Sequence, residues 1–252
     1  MRNFIAAIKL AKVLTHLLVG LLIVYFHFPK LTQAQKNRRI EVWAGALLAK
    51  LAIKLTVNGK PAGAGPMLLV SNHISWLDIL VIHAAAHCRF VSKADIKHWP
   101  VLGTLTTAAG TLYIERESRR DAMRVVHHMS EALTDGDIVA VFPEGTTGNG
   151  VTLLPFHANL LQAAIAVDAP VQPLALSFID ATTGQTSQAA SFVGDETLLG
   201  SLWNTLKSCN LAAVATYGVP QWAKGRDRRT WAADLSTEIA SLKASSMNPR
   251  SP

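Results

Sequence analysis

Cysteine is scarce in this chain of 252 residues: only Cys88 and Cys209 occur, and they form no CxxC pair. That argues against a disulfide scaffold and a structural zinc site, and a reducing compartment is the natural setting. Charge is sparse too, at 16% of residues against 50% hydrophobic. Several chemical signatures are missing. There is no Gly-x-Ser-x-Gly elbow for a serine hydrolase, no nucleotide-binding phosphate loop and no His-Glu-x-x-His zinc helix. His83 and His87 stand one helical turn apart beside Cys88, but no third ligand accompanies them, so no metal is expected. His127-His128 cannot face one ligand from a helix and reads as surface. A signal-peptide cleavage site is also missing, because the apolar stretch after Arg2 and Lys9 runs into Tyr25-Phe26-His27-Phe28-Pro29. That segment is expected to be retained.

What is present begins with a net charge of +7, which suits anionic lipid, nucleic acid or an acidic carrier. Nucleic acid explains the charge but not the apolar N-terminus, so it is not an expected partner. Val13 to Phe28 is a mostly apolar run of 16 residues. As a helix it would measure about 24 Å, short of the roughly 30 Å of bilayer hydrocarbon. Pro29 ends it, Gln33 to Arg39 form a polar turn, and a second helical pattern runs from Ile40 to about Leu55. In that pattern Ile40, Trp43, Leu47, Leu51 and Leu55 keep a spacing of three or four, with Lys50 and Lys54 off the stripe. Positive charge flanks the first helix on both sides: Arg2, Lys9 and Lys12 before it, Lys30, Lys36, Arg38 and Arg39 after it. A single span would set one cluster against the usual Lys/Arg asymmetry. A monotopic hairpin dipping into one leaflet keeps both on the cytoplasmic side and is preferred to a span, with two buried helices of a soluble protein as the third reading.

From Lys60 the chain alternates strand-like and helix-like segments. Strand patterns fall at Met67-Val70, Arg89-Ser92, Thr111-Ile114, Ile138-Phe142, Val171-Phe178 and Leu211-Tyr217. Helical ones fall at Trp76-His87, Arg119-Leu133, Leu160-Val167 and about Trp231-Lys243. The fold class is α/β: a mixed, largely parallel sheet flanked by helices, behind an N-terminal membrane-associated helical hairpin. The expected divisions are residues 1–57 for the membrane-associated region, 58–243 for the catalytic domain and 244–252 for a flexible tail. Ala181-Ala190 reads as a polar loop. The basic run Lys224-Arg229 is ordinarily a solvated face, with contact to lipid or acyl donor as the alternative.

Chemistry gathers where strands of an open α/β sheet end. After Leu68-Leu69-Val70-Ser71 comes Asn72-His73-Ile74-Ser75-Trp76-Leu77-Asp78. His73 and Asp78 are five apart, about 140° around an ideal helix, so they share no helical face. They meet if His73 stays in the loop and Asp78, in the first helical turn, reaches back. The competing reading is a capping box over Ser75-Trp76-Leu77-Asp78, with Asp78 serving the backbone.

The Asn-His-four residues-Asp pattern resembles the first signature of the glycerolipid acyltransferase family, and the other blocks follow in order. Gly110-Thr111-Leu112-Tyr113-Ile114-Glu115-Arg116 is similar to the second. Val141-Phe142-Pro143-Glu144-Gly145-Thr146-Thr147 is similar to the third, and Ala169-Pro170-Val171-Gln172-Pro173-Leu174-Ala175-Leu176 to the fourth. Within the family the likeness is greatest to bacterial lysophosphatidic acid acyltransferases. The resemblance implies transfer of a fatty acyl chain from a thioester to the free hydroxyl of 1-acyl-glycerol-3-phosphate, at the cytoplasmic face of the inner membrane. The expected partners are the bilayer, the lysophospholipid acceptor, and acyl-CoA or acyl carrier protein as co-substrate. No cofactor is implied.

His73 would be the base and Asp78 its orienter. An alcohol is too weak an acid to attack a thioester unaided, and an imidazole suits the proton removal. The leaving thiol, of pKa about 8.5, departs readily, so no strong general acid is demanded. The resemblance assigns Arg116 to the acceptor phosphate, where a guanidinium grips two oxygens. It places Glu144, Gly145 and Thr146 at the acceptor site, although Glu144 equally fits a role in orienting the loop. Asn72, Pro143 and Pro173 are supporting residues. One departure stands out: the third block commonly carries arginine where this chain has Thr147. That loads Arg116 and opens the way to another acceptor, such as a lyso-ornithine lipid. The rival from another class is a non-catalytic membrane module that only holds lipid.

Overall fold

The computed structural model describes residues 2–114, 119–194 and 196–247. Helix α1 (Arg2–Phe26) starts well before the expected Val13 and has 25 residues, about 37 Å of helix. Lys9, read from the sequence as flanking charge, lies inside this helix and is buried, its Nζ donating to Ser208 O at 2.7 Å. A single turn around Pro29 (Phe28–Lys30) then reverses the chain. Thr32 opens α2 (Gln33–Leu51) with a capping box to Gln35, so the stretch expected as a polar turn is the first part of a helix. The two helices lie antiparallel. The His16 and Trp43 rings stack at 4.8 Å, and each residue bonds the other's carbonyl.

α2 stops at Leu51 because Ala52 turns into the left-handed region (φ 60°), and Lys54–Asn58 becomes strand β1. The helical pattern expected to reach Leu55 is corrected there. The remaining strands are β2 (Met67–Ser71), β3 (Arg89–Lys93), β4 (Leu112–Ile114), β5 (Ile138–Val141), β6 (Val171–Asp180) and β7 (Leu211–Tyr217). They make one seven-stranded sheet in the order β1-β7-β6-β2-β5-β3-β4. Every pairing is parallel except β6 with β7, so the sheet is mixed and largely parallel, as the alternation of segments implies.

Alternation along β2 sorts the core onto two faces. Leu69 joins Leu47, Leu51, Leu77 and Val81 under α1, α2, α3 (Leu77–Ala85) and α7 (Leu198–Lys207). Leu68 and Val70 join Met129, Leu133, Trp231 and Leu235 under α5 (Arg119–Thr134), α6 (Gln162–Ala166) and α8 (Arg228–Met247). β2 is buried along its whole length, which explains its unbroken apolar run. Two helices were not expected: α4 (Leu102–Ala108), and α7, which Thr197 caps by accepting from Gly200 N at 3.1 Å.

Candidate active site

β2 ends at the centre of the sheet, and its C-terminal edge is where the candidate residues collect. Asn72 locks the exit: its side chain donates to Leu176 O at 3.1 Å and accepts from Leu176 N at 2.8 Å, tying the loop to β6. His73 stays in that loop and α3 begins only at Leu77, so Asp78 sits in the first helical turn and reaches back. Asp78 Oδ2 lies 2.7 Å from His73 Nδ1. The same oxygen accepts from Ile74 N at 2.6 Å and Ser75 N at 2.9 Å. Serving the backbone and orienting the imidazole are therefore one arrangement rather than rivals, although the full capping box does not form: Asp78 N bonds the Ser75 carbonyl, not its hydroxyl. Asp78 is fully buried, and its Oδ1 has no hydrogen-bond partner among the described residues. The His73 side chain remains 21% exposed, enough to be reached from outside.

Beside a carboxylate, Nδ1 carries the proton and Nε2 is left as the basic nitrogen. One face of the imidazole is covered by Phe142, whose ring stacks at 4.0 Å and 10°. Phe142 leads from β5 into Pro143-Glu144-Gly145. Glu144 is buried and both its oxygens accept backbone N–H groups: Oε1 from His73 at 2.9 Å, Oε2 from Leu154 at 3.1 Å. Burial pushes the Glu144 carboxyl above its usual range, against the pull of those two donors. Pro143 O accepts from His157 N at 2.8 Å, which closes the loop's far end. Gly145 has φ +70°, and a Cβ there would come within 3.0 Å of the His157 ring, so glycine is required at this turn.

The other expected site residues are placed less centrally. Thr146 is exposed and its side chain has no hydrogen-bond partner among the described residues. Thr147 does have one, donating to Phe192 O. Phe192 N in turn donates to Ile74 O at 3.2 Å, so the segment before α7 is laid against the His73 loop. Pro173 lies in β6 opposite Val70, and its carbonyl accepts from Gly218 N at 2.9 Å. Arg116 lies outside the described residues, just beyond the end of β4 at Ile114. His83 and His87 stack on each other at 5.2 Å inside the body, and His83 meets Phe90 edge-on at 5.0 Å. Burial pushes His83 down to about 3.

A family model described as Acyltransferase matches residues 53–177, which include His73, Asp78 and Glu144. A 1-acyl-sn-glycerol-3-phosphate acyltransferase of Neisseria gonorrhoeae is 40% identical over 77% of this chain and 76% of its own length. This chain belongs to the acyltransferase family. A lyso-ornithine lipid O-acyltransferase of Pseudomonas aeruginosa is 38% identical over 68% of the chain, which spans 65% of that relative's length. The crystal structure of the 1-acyl-sn-glycerophosphate acyltransferase PlsC from Thermotoga maritima shares the fold, with a TM-score of 0.61 at 18% identity, covering 94% of this chain and 98% of that one. In this acyltransferase the matched region leaves out α1 and α2 at one end and α7, β7 and α8 at the other.

Sequence reasoning found the His73–Asp78 pair but not the bond from Glu144 to the His73 backbone. Those two residues are 71 apart, and no local spacing connects them. Phe142 is read from the sequence as the end of a strand and a part of the third block, with no ring contact to His73, and Lys243 only as the end of the last helix.

Proposed function

We propose that this acyltransferase moves a fatty acyl chain from a thioester to the free hydroxyl of a lysophospholipid, with His73 as general base. The observation that carries the proposal is the 2.7 Å contact between His73 Nδ1 and a buried Asp78, with the imidazole still reachable. The acceptor oxygen attacks the thioester carbon while His73 Nε2 takes its proton. The C–S bond then breaks, and the proton passes to the departing thiolate. Asp78 stabilises the imidazolium between these steps. Glu144 acts by holding the His73 backbone rather than by touching substrate.

The acceptor we favour is 1-acyl-glycerol-3-phosphate, giving phosphatidic acid, with Arg116 on the phosphate. A lyso-ornithine lipid is the second reading. It is favoured by Thr147, whose hydroxyl is committed to Phe192 O in place of the usual arginine, and by the Pseudomonas relative. The donor is acyl-CoA or acyl carrier protein. α1 supports a site at the membrane. It is the one described helix long and apolar enough to cross a bilayer, yet one face packs on the body while Phe4, Leu14, Leu18, Leu22, Tyr25 and Phe26 face outward. A helix bound lengthwise in this way fits a monotopic enzyme lying in the cytoplasmic leaflet of the inner membrane.

Thiol release from a long-chain acyl-CoA, by detergent-purified protein with a panel of lysolipids, tests this reading. Release with lysophosphatidic acid that vanishes in His73→Ala supports the enzyme and the favoured acceptor. Release with lyso-ornithine lipid alone keeps the chemistry and moves the substrate. Silence with every acceptor and with both donors makes the non-catalytic lipid-binding module the better reading.

A further inference from the structure

Lys243 lies near the end of α8, outside the region that the family model matches. It is 6% exposed, and its ammonium points inward. Nζ donates to Val151 O at 2.8 Å and also to Gly150 O. Neither acceptor is a carboxylate. An ammonium taken out of water whose hydrogen bonds, among the described residues, go to carbonyls alone is costly, so its place in the structure calls for a reason beyond packing. Burial lowers its pKa, and the negative charge of Glu144 acts in the opposite direction.

The two carbonyls belong to a loop that makes several contacts with the His73 turn. Gly148 N donates to His73 O at 2.8 Å. Gly150, at φ +71°, is pressed against Ile74, where an added Cβ would meet the side chain at 3.3 Å. Leu154 N donates to Glu144 Oε2 at 3.1 Å, and Glu144 Oε1 takes His73 N at 2.9 Å. The loop therefore grips His73 on its carbonyl side directly and on its amide side through Glu144. Lys243 is the side chain that ties the middle of this loop to a long, well-packed helix.

We propose that Lys243 is a positioning residue for the acyl-transfer step, fixing the loop at residues 148–154 so that the His73 backbone, and with it the imidazole, is held in register with Asp78. This rests on the reading of His73 as the base. It adds a functional contribution from the last helix, acting without contact to substrate.

The test compares Lys243→Met with Leu235→Ala, a control from the buried face of the same helix, in the full-length protein. For Lys243→Met the expected result is a kcat loss of about tenfold or more with acceptor KM within about threefold. Amide exchange should also speed up in peptides covering residues 72–74 and 148–154. Leu235→Ala should lower the thermal midpoint without changing kcat or exchange at 72–74. If the methionine variant does not fold, Lys243→Gln, which keeps a donor to the loop, is read for the same split. A folded variant with kcat within about twofold of wild type, or unchanged exchange at 72–74, overturns the proposal. If the wild type transfers no acyl group to any acceptor, the base assignment fails, and the exchange data alone still decide whether Lys243 holds the loop.

Discussion

Glu144 Oε1 accepts the main-chain N–H of His73 at 2.9 Å, so a buried carboxylate fixes the backbone of the residue whose ring a second buried carboxylate, Asp78, fixes from the other side. Each acid also serves a second stretch of backbone: Asp78 holds the Ile74 and Ser75 N–H groups just before α3, and Glu144 closes the loop at Leu154. The position of the imidazole is thus set from both ends.

Asp78→Asn tests the ring side. The amide cannot accept from His73, Ile74 and Ser75 through one charged oxygen, and the imidazole loses its stabilising partner. The expected loss in kcat is about 100-fold or more, in line with general base catalysis. Leaving buried N–H groups less well paired should cost about 1–3 kcal/mol of stability, read from urea unfolding. A variant with full turnover would remove Asp78 from the mechanism.

Glu144→Gln tests the backbone side. One backbone N–H must then face an amide N–H₂, so both the thermal midpoint and kcat should fall, with little change in KM for the acceptor. A change confined to KM would instead put Glu144 in contact with substrate.

Arg116→Ala should raise KM for lysophosphatidic acid by about tenfold or more, as expected for the loss of a charge-assisted pair. Turnover of an acceptor without phosphate should barely change. An unchanged KM in steady-state assays would count against the phosphate role.

His83 makes a prediction about acid. Its native pKa is pushed to about 3 by burial, below the ordinary imidazole value of 6.5. The stability tied to keeping it neutral is complete above about pH 6.5 and is lost as pH falls toward 3, because the unfolded chain takes up a proton the native one resists. His83→Leu removes that proton uptake. Its urea midpoint should decline less between pH 7 and pH 4 than that of the wild type, and equal declines would show that other groups govern acid unfolding.

Leu14→Asp with Leu18→Asp places charge on the outward face of α1, away from Val13 and His16, which face the body. Co-sedimentation with anionic phospholipid vesicles should fall severalfold while the far-ultraviolet spectrum is kept. Undiminished binding would locate the membrane contact elsewhere.

The sequence made the site legible where local geometry is enough. His73 and Asp78 lie in one loop-to-helix turn, and β2, β5 and β6 read as strands because their runs are mainly apolar, with Gln172, Ser177 and Asp180 the exceptions in β6. It concealed what depends on distant partners. β1 was hidden because Leu51 and Leu55 continue a helical spacing, and because the stop at Ala52 has no glycine to mark it. α7 follows the polar loop read at Ala181-Ala190, and the helical spacing of Leu198, Leu202 and Leu206 behind the Thr197 cap is short, only ten residues long. Lys9 and Lys243 look like surface charges, since nothing local reveals the carbonyls of Ser208, Gly150 and Val151 that receive them.

α1 has a further consequence for how this protein can be handled. Ala6 and Val13 belong to the same core as Leu69 and Leu77, and His16 and Gly20 pack on Trp43, while the opposite side of the same helix is apolar and open. The division between the open apolar stripe and the enzyme body therefore runs lengthwise down a helix and not across the chain at any residue number. A truncation that removed α1 would uncover the faces of α2, α4 and α7 on which it packs. A version of this protein with a more polar surface is better made by repainting the outer stripe of α1 and leaving its inner stripe in place.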